Sequence, residues 1–126
     1  AKGYDSRCIS IKIDSNPTIM NRRKYPRMPI SYSCEITFTG NGAKYNGRTV
    51  NISANSFAFS ARDKAFADCR EENVSISVSG FEFLQNHPLN GCIIRSTDNE
   101  GEYIVGCRMD EDDIAIRDYV KENYKE

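Results

Sequence analysis

Ile30-Ser-Tyr-Ser-Cys-Glu-Ile-Thr-Phe38 carries the clearest structural signal in the chain. Ile30, Tyr32, Cys34, Ile36 and Phe38 alternate with Ser31, Ser33, Glu35 and Thr37, the period of two that buries one face of a β-strand. Thr39-Gly-Asn-Gly42 follows, a turn by composition because Gly and Asn tolerate positive φ. Residues 44–52 return as a second strand, with Gly47 a candidate bulge, and Ser56 to Ala61 make a third with Phe57 and Phe59 on one face. Residues 62–72 are a charged crossing with room for a helical turn.

Beyond the crossing, Asn73 to Ser79 alternate Val74, Ile76 and Val78, and Phe81 and Phe83 extend that pattern past Gly80. Leu89 to Ser96 and Glu102 to Met109 form a hairpin about Asp98-Asn-Glu-Gly101. The tail changes period. Ile116, Tyr119, Val120 and Tyr124 recur at three- and four-residue steps behind Asp110, Asp112 and Asp113, an amphipathic helix with acids at its N-terminus. Several short strands and one closing helix predict an all-β fold, a small antiparallel β-barrel with a C-terminal α-helix.

Upstream, residues 1–20 are expected to be an N-terminal extension or short strand, with Ile9, Ile11 and Ile13 on one face, or the tail of an upstream module. Asp14-Ser-Asn-Pro17 breaks that pattern. From there to Pro29 the chain is polar and carries Pro26 and Pro29, which predicts an extended, mobile arm without a packed helix. Residues 21–126 form the barrel unit with its arm and helix.

The 126 residues suit one core of ordinary size, and 39% hydrophobic with 28% charged residues is a globular balance. The net charge of -1 hides a polarity. Residues 1–70 hold twelve Lys/Arg against five Asp/Glu, while residues 98–126 hold four against ten. Such a chain can host a local anion site without the overall basicity of a protein that coats nucleic acid. Cys8, Cys34, Cys69, Cys92 and Cys107 are widely spaced with no Cys-x-x-Cys, so neither a disulfide framework nor a zinc site is expected. Cys34, Cys92 and Cys107 read as small buried hydrophobes in a reducing compartment, and the cytoplasm is the expected location. No membrane-spanning run and no signal-peptide pattern is present.

The chemistry concentrates in two stretches. Asn21-Arg-Arg-Lys-Tyr-Pro-Arg27 places four cations in six residues, and Arg23 and Arg27 stand roughly 13 Å apart on an extended backbone at about 3.3 Å per residue. Guanidinium forks bind phosphate oxygens and pair with the O6 and N7 edge of guanine. Asn51 and Ser53, two apart at a strand end, are expected to point to one side, where an amide and a hydroxyl can bond a base edge or a phosphate. Taken alone, a cationic loop is also an ordinary solvated surface, and an Asn-x-Ser turn also satisfies its own backbone amides.

Together the two stretches resemble a family signature. Arg-x-x-x-Arg, a strand, a hairpin, then Asp/Asn-x-Ser-x-x-Gly at a strand end is the pattern of PilZ domains. Arg23-Lys-Tyr-Pro-Arg27 is similar to its first motif and Asn51-Ile-Ser-Ala-Asn-Ser56 to its second. Gly91-Cys-Ile-Ile-Arg95 and Val105-Gly-Cys-Arg-Met109 are similar to the last hairpin of that family, and the likeness spans about residues 21–124.

The resemblance implies a six-stranded barrel that binds the bacterial second messenger cyclic di-GMP, with no cofactor and no catalysis. It implies that Arg23 and Arg27 clamp guanine and phosphate while Asn51 and Ser53 bond the ligand from the other side. Arg22 is the position that accompanies two stacked ligand molecules in such domains. One residue departs from the pattern: Ser56 stands where the second motif closes on glycine. Its cost is small if Ser56 keeps a β conformation, and Asn55 can take a left-handed turn in its place. The alternative implied by that departure is a degenerate module that binds a protein partner and no nucleotide.

Other chemistries find little footing. His87 is the only histidine, next to Pro88 and without clustered carboxylates in sequence, so neither a catalytic base nor a metal ligand is expected. Asp110-Glu-Asp-Asp113 lacks the alternating ligands and glycine of a calcium loop. Ser53 sits in no nucleophile elbow. The aromatic residues alternate at core positions, which is not a stacking platform for RNA, so nucleic acid is not an expected partner.

Overall fold

A computed structural model describes residues 24–124. Seven strands and one helix make it up: β1 (Met28–Pro29), β2 (Ser33–Phe38), β3 (Lys44–Ile52), β4 (Ser56–Ala61), β5 (Asn73–Val78), β6 (Leu89–Asn99), β7 (Glu102–Arg108) and α1 (Ile114–Asn123). Every pairing is antiparallel. Around the ring the order is β3-β2-β5-β6-β7-β4, and β4 pairs back onto β3. The result is a closed six-stranded barrel, with β1 added outside β3. The segment predicted as a strand upstream of Asp14 lies outside the described residues.

The alternation read from sequence is what fills the barrel. Cys34, Ile36 and Phe38 of β2 point inward with Ile52, Phe57, Phe59, Val74, Ile76, Leu89, Ile93 and Val105, all buried. Phe66, on a short 3-10 turn at Lys64–Ala67, plugs one part of the interior and meets Phe38, Tyr45 and Phe59 edge-on at centroid distances of 5.3–5.5 Å. Such aromatic geometry adds to the area each ring buries.

Four details differ from the sequence reading. The strand expected from Ile30 begins only at Ser33. Residues 30–32 are instead held by Ile30 N–H donating to Val50 O, Tyr32 N–H donating to the buried Thr49 hydroxyl, and Thr49 N–H donating to Tyr32 O. Gly47 is no bulge, since it pairs in register with Cys34, and the irregularity falls between Thr49 and Asn51. Phe81 and Phe83 do not continue β5. Gly80 turns the chain at φ +82°, and Glu82–Leu84 is a 3-10 turn. Cys92 is only half-buried whereas Cys69 is buried. Burial raises the thiol of Cys34 to about 11 and that of Cys107 further, so both stay protonated at neutral pH.

The hairpin β6–β7 closes on Glu100 and Gly101, both at positive φ, as a two-residue turn matched to strand twist. Asp98 Oδ1 accepts from the Gly101 amide at 3.0 Å. Helix α1 starts at its N-cap Asp113, whose Oδ1 accepts from Ile116 N–H at 3.0 Å. Its buried residues Ile116 and Val120 face the barrel, and Tyr119 stacks on Phe83 at 4.1 Å. His87 Nε2–H donates to the other oxygen of Asp113 at 2.8 Å.

Gly47 is required by space. A Cβ there would come within 2.5 Å of Ser60 O and 2.7 Å of Ile36 Cδ1. Gly47→Ala is therefore expected to cost about 1–3 kcal/mol in urea denaturation. Gly40→Ala, with nothing within 4 Å of the added carbon, is expected to change stability by less than about 0.5 kcal/mol. Equal effects at the two positions would refute the packing account.

Candidate functional site

The arm reaches the barrel by pairing. Met28 sits opposite Ile52 and Pro29 opposite Asn51, so β1 lies along the very end of β3. That register delivers Arg27 to the place where β3 turns toward β4. A narrow slot of about 20 Å³ there is lined by Arg27, Asn51 and Ser56 together with Ile94, Arg95 and Gly106. A wider cleft of about 250 Å³ shares Arg27, Ser56 and Ile94 with it and adds Lys24, Tyr25, Asn55 and Arg108. Arg22 and Arg23 lie outside the described residues. Of the residues singled out from sequence, the structure brings Arg27, Asn51 and Ser56 together.

Ser53 is placed differently. It is completely buried, and its hydroxyl works inside the turn. It lies 2.7 Å from the Ser56 hydroxyl and 3.0 Å from Asn55 Oδ1, and it accepts from the Asn55 amide at 3.3 Å. Its own N–H donates to Ser56 O at 2.8 Å. The turn is tied outward as well: Met109 N–H donates to Asn55 O at 2.9 Å and Asp113 N–H to Ala54 O at 2.6 Å. Ser53 thus sets the shape of the turn that carries Asn51 and Ser56, while the Ala54 and Asn55 carbonyls link that turn to the start of α1.

The serine at position 56 causes no backbone strain. It opens β4 opposite Arg108, and the positive-φ residues other than glycine among those described are Glu71, Asn86 and Glu100. Asn55 does not take a left-handed turn in its place. The β conformation makes the exchange cheap for the backbone, and the Ser56 hydroxyl adds a bond to Ser53.

Three lining residues were missed by sequence reasoning. The pairing of β6 with β7 slips between Ile93 and Arg95, leaving Ile94 as the extra residue. A bulge re-aims the side chains beside it, and here Ile94 and Arg95 both line the slot. Arg95 lies over Gly106, where a Cβ would meet its Nε at 3.1 Å and its Cγ at 3.3 Å. Arg108 ends β7 next to Ser56. The available signal was Ile93-Ile94, two adjacent apolar residues in a strand that should alternate. With Lys24 and Arg27 these side chains give the two cavities four cations and a half-exposed apolar wall, a lining suited to an anion that also carries flat rings.

One carboxylate stands at the rim. Asp112 Oδ2 accepts from Tyr25 Oη at 2.7 Å and from Lys24 Nζ at 3.3 Å. The Tyr25 hydrogen bond first, then Lys24, hold this carboxyl below the ordinary aspartate range, and Asp112 in turn raises Lys24. Among the described residues no group of three His, Cys, Asp or Glu is arranged to hold a metal ion, and no helix is long and apolar enough to cross a membrane.

The PilZ domain family profile matches residues 21–122. No curated protein sequence matches the chain at a significant level. Among solved structures, the Bacillus subtilis inhibitor of motility MotI/DgrA superposes with a TM-score of 0.62 at 16% identity. That match covers 85% of this chain and 55% of the other, so the chain spans about half the length of that relative. The PilZ domain of Escherichia coli YcgR, solved with c-di-GMP, gives a TM-score of 0.59 at 13% identity, covering 80% and 87% of the two chains.

The buried hydroxyl of Ser53 leads to a stability prediction. Ser53→Ala strands the groups it joins and is expected to cost about 1–3 kcal/mol by urea denaturation; a loss below about 0.5 kcal/mol would contradict the role given to it. For Asp112, a lowered carboxyl means that the anchoring of the arm is complete above the ordinary aspartate range and is lost as pH falls through the lowered value. Tyr25→Phe is expected to move the Asp112 titration, followed by carboxyl carbon NMR, upward toward 3.8. An unmoved midpoint would show that the hydrogen bond does not persist in solution.

Proposed function

The chain belongs to the PilZ domain family, and on that premise we propose that it is a non-enzymatic receptor for cyclic di-GMP. The observation that carries this reading is the convergence of Arg27, Asn51 and Ser56 on one slot, although they come from an arm, a strand end and the start of the next strand. The likeness to a PilZ domain solved with c-di-GMP supports the choice of ligand.

In the mechanism, Arg27 gives its guanidinium to a phosphate or to the O6 and N7 edge of guanine. Asn51 offers an amide to the base edge from the barrel side. Ser53 acts by holding the turn, and Ser56 presents its backbone and hydroxyl at the slot. Arg22 and Arg23 supply the remaining charge from the arm, Arg22 serving a second stacked ligand. The cleft of about 250 Å³ is smaller than the roughly 300–1,000 Å³ of pockets that enclose a ligand. A cyclic dinucleotide therefore lies along the cleft mouth, and the arm closes over it. That closure is the output, presented to a protein partner or a neighbouring domain in the cytoplasm, with residues 1–20 as the connection.

Ser56 costs the backbone nothing, but its side chain lines the slot where glycine would leave room for a ligand. This favours a second reading, a PilZ-like module that has lost the nucleotide and retains a protein partner. Isothermal calorimetry with cyclic di-GMP separates the two. Micromolar or tighter binding is expected, falling at least about tenfold, some 1.4 kcal/mol, in Arg27→Ala and in Arg23→Ala. No heat from the parent at high ligand concentration, with binding restored by Ser56→Gly, would establish the second reading.

A further inference from the structure

The described part of the arm is held at two places of opposite chemical character. Arg27 faces the cationic cleft, whereas Lys24, which lines the same cleft, directs its ammonium to Asp112 at 3.3 Å. Asp112 stands in the connection between β7 and α1, next to that cleft but not in its lining. Its side chain is 38% exposed and that of Lys24 69%, so the pair is hydrated and contributes little to stability. A hydrated pair of this kind exchanges readily when a stronger anion comes within reach. Tyr25 adds a neutral bond to the same carboxylate oxygen at 2.7 Å. The next residue, Asp113, caps α1 and donates its amide to Ala54 in the turn that carries Asn51 and Ser56.

We propose that Asp112 is the resident counter-anion of this site, holding Lys24 while the cleft is empty of ligand and yielding it to a phosphodiester that binds beside Arg27. The identity of that phosphodiester rests on the cyclic di-GMP reading above. Asp112 then lowers affinity twice, by occupying a cation and by repelling an anion. Transfer of Lys24 leaves Asp112 on Tyr25 alone, so ligand arrival reaches the residue just before the helix cap. Tyr25 has the other role: its hydroxyl positions the arm, and an amide oxygen at position 112 still accepts from it.

The test is a double-mutant cycle read by calorimetry with cyclic di-GMP on the parent, Asp112→Asn, Lys24→Met and the double variant. Asp112→Asn is expected to bind about two- to fivefold tighter, the span of an exposed ion pair. Lys24→Met is expected to change the parent little and to shrink the gain from Asp112→Asn to the part that comes from removing a nearby anion. A role limited to holding the fold together would give no gain and no such dependence. The proposal is overturned if the parent binds while Asp112→Asn binds no tighter, or if Lys24→Met has the same effect in both backgrounds. If the parent binds no cyclic di-GMP, the choice of ligand fails by itself, and the same four proteins are titrated with pyrophosphate. The same non-additivity with pyrophosphate supports the exchange; additivity, or no binding, overturns it.

Discussion

Everything in this molecule depends on β4 being paired along both of its edges. Ser56 to Ala61 meets β7 residue for residue, and its other edge meets β3. That double pairing closes the ring and turns an ordinary meander into a container for Phe57, Phe59 and Phe66. It also brings the end of β3, the end of β7 and the bulge of β6 to a single rim. A site assembled from four separate stretches of chain exists only because the ring is shut.

Closure alone would give a regular barrel with alternating side chains and no cleft. Two irregularities break the regularity where it matters. One falls between Thr49 and Asn51 and the other between Ile93 and Arg95. The first frees Val50 O to accept from Ile30 N–H, which steers the incoming chain along β3. The second turns Ile94 and Arg95 toward the incoming arm. The cations at this rim are therefore products of sheet geometry as much as of the arginine-rich arm.

Much of this was legible in the residues themselves. Alternation fixed β2, β3, β4 and β5 to within a few positions, and Glu100-Gly101 marked its hairpin by turn chemistry. The helix followed from a change of period behind acidic residues. What escaped was whatever depends on residues distant in sequence. Gly47 signals a bulge by type, yet its reason is a Ser60 carbonyl thirteen positions on, which no local pattern reveals. Ser53 was readable as a polar residue near a site, but its complete burial follows from the docking of residues 109–113 onto the turn. Arg95 and Arg108 stood within stretches legible as a hairpin but not as part of the site, because their neighbourhood to Arg27 is created by the ring.

The added strand β1 has a consequence for how other proteins meet this domain. Among the described residues it is the terminal strand of the sheet, it is two residues long, and Pro29, exposed, has no N–H to offer a newcomer. Extension of the sheet by an incoming extended peptide is poorly served at that margin. Recognition there must rest on side-chain surface, whose shape the arm itself determines.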